Sequence, residues 1–266
     1  MSARTLIRPD WSSPDGCAEP PTRPTLARLT VVEMRKMIDT RSGIWLLVSI
    51  GLISLAAVVV QLIWGDADAR TLSGYFRLSL YPVGILLPVL GILTVTSEWT
   101  QRTALTTFTL VPERHRIVIA KLAAAGLFAA LSLIVSLLFA VLGNALGLLQ
   151  ADSDGSWSLP AAHLGQGLLF QVLSVVMGVA FGMLLLNTPM AIVLYFVLPS
   201  VWMFLTALIS AIEDAVGWLD LNSTMDPLSA GTLHGDGWGK LATSGLVWIV
   251  VPLILGTFRL LRREVK

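Results

Sequence analysis

IVIAKLAAAGLFAALSLIVSLLFAVLGNALGLL, residues 117–149, decides how this chain must be read. These 33 residues hold a single Asp, Glu, Lys or Arg, and that residue, Lys121, sits close to one end. At ~1.5 Å per residue a helix of this length exceeds the ~30 Å of hydrocarbon that a membrane span must cross. Five further apolar runs, at about 43–64, 78–97, 164–186, 190–212 and 243–258, contain no charged residue at all. The expected fold class is therefore all-α: a polytopic membrane protein with six transmembrane helices, with an N-terminal interfacial amphipathic helix and a short cytoplasmic helix between the second and third spans.

The bulk numbers agree. Of 266 residues, 55% are hydrophobic and only 13% charged, with mean hydropathy +0.78. A soluble domain carries about 25% charged residues. The net charge of +1 offers no basic patch for nucleic acid. The single cysteine, Cys17, cannot form an internal disulfide. No apolar run precedes it, which argues against a lipoprotein anchor. The first apolar run is too long for a signal-peptide core and is expected to stay as the first span.

Basic residues divide unevenly between the alternating loops. With the N-terminus inside, Arg4, Arg8, Arg23, Arg28, Arg35, Lys36 and Arg41 precede the first span. Arg102, Arg114, Arg116 and Lys121 fall in the next inside segment, and Arg259, Arg262, Arg263 and Lys266 at the C-terminal end. Only Arg70, Arg77 and Lys240 fall outside, where acids such as Asp66, Asp68, Asp220, Asp226 and Asp236 collect. Cytoplasmic loops are enriched in Lys and Arg, so both termini are expected in the cytoplasm of a multi-pass protein of the plasma (inner) membrane. Trp45 and Trp64 are 19 residues apart, or ~28 Å along a helix, which places one indole near each interface. The short segment 187–189 suggests a tight helical hairpin.

Residues 1–24 hold five prolines and read as a disordered cytoplasmic tail. Residues 25–42 read as an interfacial amphipathic helix. Leu26, Leu29, Val32 and Met37 share one face there, and Arg28, Glu33, Arg35 and Lys36 lie elsewhere. An ordinary juxtamembrane basic segment is the alternative. Residues 43–266 form the six-helix domain. Within it, about 98–111 reads as a short helix, with Leu105, Phe108 and Val111 at helical spacing and Pro112 as its stop. Glu98 and Arg102 stand at i, i+4, either a stabilising pair or a solvated one. Pro82, Pro88, Pro199 and Pro252 predict kinks. Gly143-x-x-x-Gly147 and Gly178-x-x-x-Gly182 permit close helix approach. The loop 213–242 is long enough to carry structure of its own, and Val216, Trp218, Leu219 and Leu221 could dip back into the interface.

Catalytic chemistry is not apparent. His115, His163 and His234 all map to loops or interfaces, and Lys121, close to the end of its run, is the only basic residue that shares a span with any of Ser132, Ser136, Ser174 and Ser200. No Cys/His spacing suits a metal. Apart from Lys121 close to one end, polar groups inside the spans are neutral, such as Asn144 and Gln171. Ion-coupled transporters carry ionisable groups there, so any transport would draw its energy from another subunit.

Glu33-Met-Arg-Lys, Thr40-Arg-Ser, Thr94-Val-Thr-Ser-Glu98, Pro112-Glu-Arg114-His-Arg and Lys121 together resemble the permease subunit of a type-2 ABC exporter. The resemblance covers residue 26 to the C-terminus in topology and is specific over 33–121. It implies a six-helix half-transporter that pairs with a second permease copy, identical or paralogous. It also implies a separate P-loop ATPase subunit that binds the ATP and magnesium, leaving this chain non-catalytic and without a cofactor of its own. Carried onto this sequence, the coupling region is Glu98, Arg102, Thr103, Pro112, Arg114, Arg116 and Lys121. Members of the family often show Gly-Thr in the coupling helix where this chain has Arg102-Thr103. The expected function is export of an amphiphilic substrate such as a drug, lipid, peptide or glycan. The alternative is a membrane scaffold or assembly subunit that transports nothing; an intramembrane enzyme would need a reactive cluster that the sequence does not show.

Overall fold

A computed structural model describes residues 24–101, 103, 113–149, 155–208 and 217–262, with the side chains of 206–208 excepted. Helix α1 spans Leu26–Asp39, α2 Arg41–Trp64, α3 Leu72–Thr100, α4 Arg114–Gly147, α5 Ala161–Leu185, α6 Thr188–Leu208 and α7 Leu221–Ser229; α8, Gly237–Arg262, closes the bundle. Six of them, α2 to α6 and α8, are long and apolar enough to cross a membrane. The expected coupling helix falls largely at 102 and 104–112, outside the described residues.

Helix starts follow local chemistry. The hydroxyls of Thr25, Thr40 and Thr71 accept the backbone N–H groups of Arg28, Gly43 and Gly74 at 3.3, 3.1 and 3.2 Å. Such caps satisfy amides that a helix start leaves unpaired. Thr40 alone separates α1 from α2, in an extended conformation at ψ 138°. The elbow is tight: a Cβ on Gly43 would lie 2.0 Å from the Met37 carbonyl oxygen. At the other hairpin Leu186 ends α5 in the left-handed region at φ 51°. Its N–H reaches the Gly182 carbonyl, and Asn187 Oδ1 accepts from Met190 N at 3.1 Å to start α6. A non-glycine residue in that region costs ~1–2 kcal/mol.

Helices α3 and α5 form the buried centre, whereas α2 and α6 lie mostly uncovered. Glycine makes the central contact possible. A Cβ on Gly178 would meet the Pro88 carbonyl oxygen at 2.1 Å, and one on Gly91 the Val175 oxygen at 2.7 Å. Gly182 packs on Ile92 and Val95 in the same seam. Gly143 instead lies against the side chains of Tyr75 and Val58. Pro82, Pro88 and Pro199 lie inside helices that continue through them. In α8 the residues Leu246–Val250 adopt π-helical bonding immediately before Pro252. Proline supplies no N–H, and widening the preceding turn accommodates the gap.

Two ends of the bundle can be distinguished. One, the charged end, holds α1, the finish of α3, the start of α4 and the finish of α8; the opposite end holds Trp64, Leu72 and Gly237. Trp45 and Trp64, near the two ends of α2, are both exposed. From the opposite end the loop carrying α7 dips into the bundle. Trp248, eleven residues into α8 and thus about 16 Å along it, donates its indole N–H to the Leu219 carbonyl at 2.8 Å. Leu221, Met225 and Leu228 of α7 bury against α5 and α8. Gln166 of α5 fixes the return. Its amide donates to the Leu233 carbonyl and accepts from Leu233 N, both at 3.1 Å.

Candidate functional site

Four charged side chains meet at the charged end. Glu33 and Lys36 come from α1, Glu98 from the last turns of α3 and Lys121 from the second turn of α4. Lys121 Nζ donates to Glu33 Oε2 at 2.7 Å and to the Thr94 carbonyl at 2.8 Å, and lies 3.1 Å from Glu98 Oε1. These three contacts match the three N–H bonds of an ammonium group. Lys36 Nζ donates to Glu33 Oε1 and to Glu98 Oε1, both at 2.7 Å. Two acids and two bases cancel in charge. Lys121 is 1% exposed, Glu33 4% and Glu98 6%, while Lys36 opens to solvent with 37% of its side chain accessible.

A buried ion survives only if paired and hydrogen-bonded. Here each of the two carboxylates faces two ammonium groups, so the cluster is a closed knot. The knot also explains the orientation of α1. Glu33 and Met37 face the bundle, whereas Leu26, Val31, Val32 and Ile38 are exposed. Of the residues expected to share one face of an interfacial helix, Met37 alone is buried, Leu26 and Val32 are exposed, and Glu33, expected elsewhere, is buried beside Met37. The difference lies at Glu33, which the Lys121 ammonium draws inward at 2.7 Å. On Lys36, burial pulls the pKa down, but the Glu98 and Glu33 carboxylates outweigh it and hold the ammonium above the usual lysine value.

The other expected site residues that the structure describes are not members of this knot. Arg114 donates to the Leu260 and Leu261 carbonyls at 3.4 and 3.1 Å, in the last turn of α8. A cation there also meets the negative pole of the helix dipole. Arg116 donates to the Pro24 carbonyl at 2.7 Å and stands 3.7 Å from Glu113. Thr103 N donates to the Glu98 carbonyl at 2.9 Å. Arg28 and Arg35 are exposed on α1. Arg102 and Pro112 lie outside the described residues. Thr188 adds a polar tie that the sequence reading missed: its hydroxyl donates to Thr96 Oγ1 at 2.7 Å and joins α6 to α3.

The chemistry available here is mechanical. Lys36 and Glu33 weld α1 to the ends of α3 and α4, the two helices that flank residues 101–113. Among the described residues no group of three or more His, Cys, Asp or Glu could hold a metal ion. Comparison with known protein families and with curated proteins finds no match.

Proposed function

We propose that this chain is the membrane subunit of an ATP-driven transporter, a permease that moves an amphiphilic substrate while a separate P-loop ATPase supplies the energy. The observation that carries the reading is the Glu33–Lys36–Glu98–Lys121 knot. It makes α1, α3 and α4 one mechanical unit beside the 101–113 connection, where a push from a partner would enter. Six apolar helices support a multi-pass membrane protein. The uncovered apolar sides of α2 and α6 suit lipid and a second permease copy. Export, rather than import, and cytoplasmic placement of the charged end rest on the resemblance and on the distribution of Lys and Arg.

The test is reconstitution. The chain is purified alone and with any P-loop ATPase found encoded beside it. The expected result is co-purification of the two and substrate-stimulated ATP hydrolysis only by the pair. Replacing Phe108 with Asp, in the connection itself, should weaken the complex. Transport by the chain alone would overturn the proposal. Normal membrane insertion with no ATPase bound would favour the scaffold.

A further inference from the structure

Toward the opposite end, two cavities share one residue. The first, about 350 Å³, lies between α3, α5, α6 and α7. Its walls include Ile85, Phe170, Met177, Phe196 and Pro199, and are mostly apolar. The second, about 460 Å³, lies nearer the end of the bundle between the 3₁₀ turn Ala67–Ala69 and the starts of α3 and α5. It is lined by Asp68, Thr71, Ser73, Arg77 and His163, among others. Tyr81 lines both.

The boundary between them is a polar bridge. Tyr81 donates its hydroxyl to Asp226 Oδ1 at 2.7 Å and accepts from Arg77 at 3.2 Å. Arg77 belongs to the polar cavity and Asp226 to the apolar one, and the two are 3.7 Å apart. Ser229 donates to the Tyr81 oxygen at 3.4 Å. Both members of the ion pair are about half exposed, so the bridge is loose and reachable.

We propose that the paired cavities are one binding site for a single-chain amphiphile with a neutral, hydroxylated head, the tail in the apolar cavity and the head in the polar one. Size and polarity both point there. Each cavity falls within the ~300–1,000 Å³ of small-molecule pockets, and 350 Å³ leaves no room for two acyl chains. The apolar cavity lies deeper in the bundle than the polar one, as tail and head lie in a leaflet. The polar cavity offers hydroxyls, a carboxylate, a guanidinium and an imidazole. Hydroxyl groups, which both donate and accept, satisfy such a mixture. Arg77 already balances Asp226, so a charged head gains nothing at the bridge.

This inference rests on the transport reading for its purpose, since it says where the substrate sits; binding itself requires no ATPase. The chain alone, in nanodiscs of one phosphatidylcholine, is titrated below micellar concentration with three probes sharing a twelve-carbon tail: dodecyl maltoside, laurate and dodecyltrimethylammonium. Binding is read by native mass spectrometry. The maltoside is expected to saturate one site per chain, at least tenfold tighter than either charged probe. Tyr81→Phe, which keeps the ring, is expected to weaken the maltoside about tenfold and the charged probes little. Ser200→Phe projects into the apolar cavity from an exposed position on α6 and is expected to abolish all saturable binding. Equal affinity for the three probes overturns the head assignment. Binding that Ser200→Phe leaves unchanged, or no saturable binding, overturns the site. None of these results touches the ATPase complex, whose absence would instead sink the transport reading.

Discussion

The charged knot and the Arg77–Tyr81–Asp226 bridge contain the same kinds of groups and behave as opposites. In the knot four ions sit within 3.1 Å of their partners, and three of them are sealed from solvent. In the bridge the ions stand 3.7 Å apart, half exposed, and a tyrosine hydroxyl mediates between them. Desolvation explains the difference. A sealed ion that loses its partner is stranded, so the knot has one stable arrangement; an ion at the bridge can return to water, so it can change partners. One end of the molecule is built to hold a shape and the other to exchange contacts.

The comparison is most severely tested by Lys121→Met, which leaves Glu33 and Glu98 facing Lys36 alone. A loss of about 3–5 kcal/mol is expected, read as a large fall in melting temperature and yield in detergent. Adding Glu33→Gln should recover part of it, because the remaining Glu98–Lys36 pair is again neutral. If the single variant melts like the parent, the knot is not sealed. A smaller effect of opposite sign is expected for Gln171→Met. Both side-chain polar atoms of Gln171 are buried without a hydrogen-bond partner among the described residues. Removing them with shape retained should stabilise by about 1–3 kcal/mol; a destabilised variant would show that Gln171 holds an internal water.

Lys36, the one member of the knot that reaches solvent, separates the two behaviours by pH. Its pKa is raised in the folded chain, so its stabilising contribution is complete below the ordinary lysine value of ~10.4. It fades as pH climbs through the higher folded value. The difference in melting temperature between the parent and Lys36→Met should hold steady from neutral pH to about 10 and narrow above that. A gap that already shrinks between pH 7 and 9 would contradict the geometry. Asp226→Asn should change stability least, by about 1 kcal/mol or less, as exposed ion pairs do. A larger loss would make the bridge a second knot.

The helices were legible because lipid demands long apolar runs, and a charge such as Lys121 stands out against them. Its partner did not. Glu33 is 88 residues away, and no periodicity links an amphipathic helix to a position three helices later. Local spacing pointed Glu98 toward Arg102, whereas its partners among the described residues are Lys36 and Lys121. The bridge was half visible: Arg77 and Tyr81 stand at i, i+4, but Asp226 joins them from a loop 145 residues on. The descent of α7 carried a readable sign in Leu221, Met225 and Leu228, a helical stripe inside a segment otherwise rich in loop residues. The sequence reading singled out only Leu221 among them. The cavities follow from how four helices and that loop meet, which local pattern does not encode.

The two hydrogen bonds between Gln166 and Leu233 assign α7 a loyalty. Pinned at its return to α5, the short helix must travel with that helix when the bundle rearranges. The wall of the apolar cavity supplied by α6, which follows the left-handed residue Leu186, has no such hydrogen-bonded clamp on α7 among the described residues. A leaning α6 would therefore part from a stationary ceiling, and the seam along Phe196 and Pro199 is where an oily tail would slip out sideways.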